Sequence, residues 1–214
     1  PDSMMSLYPQ APVISQISPR VGFAYQLGGQ AVLHFSYGHF FQMPPMYAMY
    51  QNNSFLVDPN NFVTRMGNTL LEPEKTITYE IGLWQELNQV MALDVALFYR
   101  DIYNLLTTKT ISTYNQVKYG LYSNKDYGNV RGLELKLDLA MGQLKGMVNY
   151  TLQYTRGNAD SPGQTFDRAG NNQDPVNRLI PMGWDQRHTL NGSLIYGTEK
   201  YGGSMTAYYN SGSP

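Results

Sequence analysis

An alternation of apolar and polar side chains with a period of two constrains this chain more than any other feature. Successive side chains of a strand point to opposite faces, so such a pattern encodes a sheet with two unlike surfaces. Residues Thr76 to Leu87 carry it most clearly: Ile77, Tyr79, Ile81 and Leu83 fall on one face, and Thr76, Thr78, Glu80 and Glu86 on the other. Leu93, Val95, Leu97 and Tyr99 repeat it against Asp94, Ala96, Phe98 and Arg100. Leu133, Leu135, Leu137 and Leu139 do so against Glu134, Lys136 and Asp138, and Val148, Tyr150, Leu152 and Tyr154 against Asn149, Thr151, Gln153 and Thr155. Weaker alternation runs through Val21 to Leu27, Leu33 to Phe41, Leu190 to Tyr196 and Met205 to Tyr209, which makes eight candidate strands and leaves almost no helical period.

The connections are unequal. Tight turns join strands at Gly28-Gly29-Gln30, Asn88-Gln89-Val90 and Met141-Gly142-Gln143, with a slightly longer one at Gly197 to Gly202. Between these hairpins lie the polar segments Gln42 to Lys75, Asn104 to Tyr127 and Asn158 to Asp185, so short and long connections are expected to alternate strictly. In an up-and-down sheet that places every tight turn at one rim and every long loop at the other. A compact soluble domain rarely contains several structureless loops of this length, whereas transmembrane β-barrels show this asymmetry as a rule. The expected fold is therefore all-β, an antiparallel up-and-down transmembrane β-barrel segment of about eight strands from a larger barrel. A soluble β-sandwich or propeller is the alternative, but those folds favour connections of similar length and more surface charge.

Composition fits the membrane reading. Only 14% of residues are charged, against about 25% in a typical soluble domain. Aromatics are abundant, with 18 Tyr, 8 Phe and 2 Trp, yet mean hydropathy is −0.39. A barrel wall pairs its backbone groups between strands and meets lipid with every second residue, so no long apolar run is needed. Tyr37, Phe40, Phe41, Tyr79, Tyr99, Tyr150, Tyr154 and Tyr196 are expected to form interfacial aromatic girdles. The lipid-facing set is then Ile77, Tyr79, Ile81, Leu83, Leu93, Val95, Leu97, Leu133, Leu135, Leu137, Val148, Tyr150 and Leu152. The lumen-facing set is Thr78, Glu80, Asp94, Arg100, Glu134, Lys136, Asp138, Asn149 and Gln153. The net charge of −1 gives no footprint for nucleic acid, and the absence of Cys removes disulfides, thiolate zinc sites and Cys nucleophiles.

Several short motifs carry a family resemblance. Leu71-Glu72-Pro73-Glu74 followed by Tyr79-Glu80-Ile81-Gly82 resembles the L-x-P-E … Y-E-x-G signature of TonB-dependent outer-membrane receptors. Ile17-Ser18-Pro19-Arg20-Val21-Gly22 is similar to the S-P-R-x-G element upstream of it, and Phe98-Tyr99-Arg100-Asp101-Ile102 to the strand that follows. Asn129-Val130-Arg131-Gly132-Leu133-Glu134 resembles N-x-x-G-x-E, and Trp184-Asp185-Gln186-Arg187-His188 resembles the D-x-R-H opening of a later strand. Each motif is short; their order and spacing over nearly the whole chain make the set specific. The resemblance implies a barrel of about 22 strands with a plugged lumen. It also implies an outer-membrane location in a Gram-negative bacterium, contact with outer-membrane lipid, an extracellular ligand, and an energy-coupling TonB-type partner acting through the plug. The cargo classes it implies are iron chelates, cobalamin and glycans. The chain opens at Pro1-Asp2-Ser3 and stops at Ser211-Gly212-Ser213-Pro214, so residues 1–214 are expected to be one partial barrel domain without plug or final strands. A passive porin-like or surface-binding barrel is the second functional reading, and a soluble β-rich binding module the third.

Nothing in the residues points to catalysis, and no cofactor is expected. His34 and His39 lie on opposite faces of one expected strand, and His188 starts another beside Arg187, where a rim hydrogen bond suffices. Glu80, Glu86, Asp94, Glu134 and Asp138, with Arg100 and Lys136, fit a hydrated wall, and no phosphate loop, nucleophile elbow or zinc motif occurs. Two loop features stand out. Met43, Pro44, Pro45, Met46, Tyr47, Ala48, Met49 and Tyr50 form an apolar, aromatic patch. In it Met43, Met46, Tyr47, Met49 and Tyr50 are candidates for ligand contact, against a reading as simple loop packing. The run Asp167 to Asp174 offers oxygen ligands suited to Ca²⁺, but its spacing matches no calcium-binding helix–loop–helix, and it reads as a solvated loop.

Overall fold

The computed structural model describes residues 13–52, 54–174, 176 and 178–213; the opening Pro1-Asp2-Ser3 and the final Pro214 lie outside them. Eight long strands follow in order: β1 (Arg20–Leu27), β2 (Ala31–Gln42), β4 (Glu74–Asn88), β5 (Met91–Ser112), β6 (Lys118–Met141), β7 (Leu144–Gly157), β9 (His188–Gly197) and β10 (Gly202–Asn210). Two two-residue strands join them, β3 (Arg65–Met66) beside β6 and β8 (Ile180–Pro181) beside β7. The long strands pair antiparallel, each with its sequence neighbours among the eight, and β1 and β10 are the two edges of the sheet. Two short helices, α1 (Met46–Tyr50) and α2 (Gln164–Gly170), interrupt the connections.

The tight turns share one rim, at residues 28–30, 89–90, 142–143 and 198–201. Gly142 adopts φ +56° in the two-residue turn after β6, a conformation that glycine reaches without Cβ strain. At the opposite rim the expected loop from Asn104 to Tyr127 is not a loop. β5 and β6 continue as a paired hairpin to Ser112 and from Lys118, closing at residues 113–117. The strict alternation of short and long connections therefore fails there: a short turn sits at the long-loop rim, at the tip of a protruding hairpin.

Register shifts between Ile102 and Leu106 mark where the wall ends and this hairpin begins, with Asn104 at φ +59°. The L-x-P-E motif holds this kink. Asn104 Nδ2 donates to Glu72 Oε2 at 3.1 Å, and Leu106 N donates to Glu74 Oε1 at 3.2 Å. Asn124 Nδ2 bridges the backbone oxygens of Glu72 and Asn104, at 3.0 and 2.9 Å, and its own Oδ1 accepts from Glu72 N at 2.7 Å.

The connections fold over the hairpin as a packed layer. Ala48, Leu71, Leu106 and Tyr122 form its apolar centre, with Met49 against them. Phe166 of α2 is 1% exposed and packs on Phe62 at 5.3 Å between centroids, beside Gly120 and under Arg65. Asp167, expected in a solvated loop, lies in this helix and pairs with Arg65 at 2.5 Å. Its carboxylate raises the pKa of that guanidinium further.

Candidate functional site: a two-faced wall and its rim

Paired residues of an antiparallel ladder face the same way, so the register sorts every strand residue onto one of two faces. On one face, Ile81 pairs with Leu97, Leu97 with Leu133 and Leu133 with Leu152. The next row is Leu83, Val95, Leu135 and Tyr150, and the row beyond it joins Leu93, Leu137 and Val148. Ile77 and Tyr79 lie on the same face nearer the loop rim. All thirteen residues of the apolar set thus share this face.

The tyrosines of this face form a row. Tyr37 pairs with Tyr79, Tyr79 with Tyr99, Tyr99 with Arg131 and Arg131 with Tyr154. Ring centroids are 5.2 Å apart between Tyr37 and Tyr79 and 6.4 Å between Tyr79 and Tyr99. Phe40, expected in this girdle, points to the other face, where Arg20 covers its ring at 4.5 Å. Tyr150 lies two rows toward the turns, with its hydroxyl 2.8 Å from His188 Nδ1. Tyr196, at the turn rim, donates to Gln143 Oε1 at 3.2 Å.

The other face holds Thr78, Glu80, Asp94, Arg100, Glu134, Lys136, Asp138, Asn149 and Gln153. Lys136 pairs with Asp138 at 3.1 Å. His34 is on this face and His39 on the opposite one, 2.5 Å from the Tyr37 hydroxyl. The His34 ring lies over Gly82, where any Cβ would collide with it, and its Nε2 reaches Asp94 Oδ1 at 3.2 Å. Phe98 covers Gly132 in the same way, and Arg100 stacks on Phe98 at 4.5 Å. A recess of about 360 Å³ opens among His34, Glu80, Asp94, Glu134, Lys136 and Asn149. The motif glycines thus clear space for large side chains of neighbouring strands, a role that a one-dimensional pattern does not reveal.

At the loop rim the Met43–Tyr50 patch divides. Ala48 is buried and Met49 packs against the layer's apolar centre, while Met43, Met46, Tyr47 and Tyr50 stay at least half exposed. Tyr47 meets Tyr122 edge-on at 5.8 Å. Two features had no period-two signal. A polar cavity of about 680 Å³ opens between the hairpin and the 158–176 segment, lined by Thr107, Thr108, Ser123, Asn124, Asp126 and Asn158 among others. Asp185 of the D-x-R-H motif is 1% exposed, accepts from Thr155 N at 2.7 Å and pairs with Arg187 at 3.4 Å. Among the described residues, no cluster of His, Cys, Asp or Glu is arranged to hold a metal ion, and no helix is long and apolar enough to cross a membrane.

An up-and-down antiparallel sheet with one face apolar from below its tyrosine row to the turns, short turns at that rim and a folded layer at the other defines a barrel-wall protein. The family model described as TonB dependent receptor-like, beta-barrel, matches residues 7–214, and the chain belongs to that family. Solved structures agree in fold. The ferric enterobactin receptor PfeA of Pseudomonas aeruginosa, solved as a point mutant, superposes at a TM-score of 0.63 with 18% identity, over 90% of this chain and 27% of that one. The siderophore receptor PirA of Acinetobacter baumannii gives 0.59 and 15%, over 85% and 27%. The ferric-catecholate import receptor Fiu of E. coli K12 gives 0.52 and 18%, over 84% and 22%. This chain therefore spans about a quarter of the length of these structures. No curated protein matches it.

Proposed function

We propose that this chain is part of the wall of an outer-membrane receptor that takes up an extracellular ligand by an energy-coupled route in a Gram-negative bacterium. The observation that carries the reading is the contrast between the faces. Between the tyrosine row and the turn rim, with the row itself left out, the face bearing Ile81, Leu97, Leu133 and Leu152 has no Asp, Glu, Lys or Arg, while the other face carries Glu80, Asp94, Glu134, Lys136 and Asp138. Lipid tolerates the first surface and a hydrated lumen the second. The apolar set is assigned to lipid and the polar set to the lumen. Further sequence of the same protein supplies the remaining strands and the plug, in keeping with the quarter-length match to the solved receptors.

Met43, Met46, Tyr47 and Tyr50 form the proposed ligand-contact surface, because they stay exposed on the layer that covers the loop rim, whereas Met49 is assigned to packing. The names of the structural neighbours make a metal chelate the first cargo class to test, ahead of cobalamin and glycans. The test is uptake of ferric enterobactin, cobalamin and maltoheptaose by cells expressing the full-length protein, with and without the energy-coupling protein. Uptake of one cargo that disappears without the coupling protein is expected. Uptake indifferent to the coupling protein would establish the passive-channel reading instead.

A further inference from the structure

Arg131 stands within the tyrosine row, on the apolar face, between Tyr99 and Tyr154. The next row toward the loops contains Arg156, paired with Asn129, which makes the two arginines diagonal neighbours on one face, roughly 7 Å apart at the backbone. Both are exposed, and neither makes an ion pair among the described residues. The nearest acid in the register is Asp101, opposite Asn129. It is already held by the Tyr127 hydroxyl and the Asn129 amide. Arg187 stacks on Tyr154 at 5.1 Å, but Asp185 satisfies it. Lys75 lies on the same face near Phe41, at 6.0 Å. Two free guanidinium groups thus stand at the upper edge of a surface that carries no charge for the rest of its height.

We infer that Arg131 and Arg156 form a docking site for the phosphate groups of a lipid in the loop-side leaflet. The inference rests on the membrane reading above, and the chemistry follows from placement. A guanidinium at the height of an aromatic belt lies level with headgroups, and its planar fork matches phosphate oxygens in two-point contact. The Tyr99 and Tyr154 rings flank Arg131 and the leucine rows below receive acyl chains, so headgroup and tail are engaged together.

The test uses the full-length protein in detergent and in phosphatidylcholine nanodiscs. Probes are bis-phosphorylated lipid A, the same lipid enzymatically dephosphorylated, and inorganic phosphate, with bound lipid counted by native mass spectrometry. Wild type is expected to retain phosphorylated lipid A and to lose it on dephosphorylation. Removing both charges, R131Q with R156Q, is expected to weaken retention about thirty-fold, and R131K with R156K to recover only part of it, because an ammonium keeps the charge but lacks the two-point fork. Equal retention of phosphorylated and dephosphorylated lipid by wild type overturns the site without any variant having to fold. Displacement by millimolar inorganic phosphate would show a plain anion site and also overturns it. Heat-modifiable gel migration reports membrane assembly separately. A protein that assembles yet ignores lipid phosphate sinks this inference alone, and one that never assembles sinks the membrane reading beneath it.

Discussion

β5 and β6 run through two different surroundings, and the two halves of this one hairpin read very differently. Below the kink at Asn104, Leu93, Val95 and Leu97 oppose Asp94 and Ala96 across the strand, and the partner strand repeats the contrast. Above it, Leu106, Thr107 and Thr108 are all buried and Lys109 is exposed, although pairing continues to Ser112. The strand conformation is the same in both halves. What differs is the contrast between its two sides. Period two reports that contrast, which the proposed function assigns to lipid on one face and water on the other, and it falls silent where both faces are alike or packed under loops.

The largest effect should come from attacking that contrast in the wall. Arginine in place of Ile81 or Leu135 is expected to cost about 2–4 kcal/mol each near the midplane of the bilayer, and the double variant the sum of the two. The readout is the folded fraction in heat-modifiable gel migration of the full-length protein. Arginine at Thr78, on the polar face, should leave assembly nearly intact. Equal losses at Ile81 and Thr78 would break the assignment of faces.

A smaller and local effect should follow from Phe166→Ala. This ring is buried in the loop layer against Phe62 and Arg65, so its loss should cost about 3 kcal/mol, near the low end for a buried aromatic. The expected outcome is faster proteolytic cleavage within residues 158–185 with wall assembly unchanged. Failure of assembly would show that the layer and the wall fold as one unit, which would erase the distinction between the regions.

The wall was legible because its physics is one-dimensional. Alternation at Ile77, Tyr79 and Ile81, or at Leu133, Leu135 and Leu137, follows from two unlike media and needs no knowledge of partners. The kink at Asn104 depends on Glu72, Glu74 and Asn124, brought together from three segments, and no local pattern announces such a meeting. The short helix at Gln164–Gly170 hid among Asp and Asn because only Phe166 of its turns is buried. Arg131 sat in plain view within the N-x-x-G-x-E motif. Its place in a tyrosine row depends on the strand register that brings Tyr37, Tyr79 and Tyr99 level with it, which no single segment encodes.

The smallest effect concerns pH, and it separates the two regions because only one of them should respond. Glu74 and Asp126 sit where the kink meets the loop layer, beyond the part of the sheet assigned to the membrane, and burial raises both pKa values above 4.5 and 3.8. Backbone N–H donation from Leu106 to Glu74, and a hydrogen bond from Thr107 to Asp126, oppose this without reversing it. A carboxyl whose folded pKa is raised binds a proton more readily folded than unfolded, so it favours folding as pH falls through that pKa. The gain is complete once pH lies below the ordinary values of 4.5 and 3.8. Amide exchange at Leu106 to Thr110, corrected for its intrinsic pH dependence, should therefore slow as pH is lowered through that window. The wall amides of Leu133 to Leu137 should not respond. E74Q with D126N should flatten the response of the hairpin, because neutral amides mimic the protonated carboxyls at every pH. Faster exchange on acidification would mean that the Leu106 and Thr107 hydrogen bonds to ionised carboxylates outweigh burial at the kink.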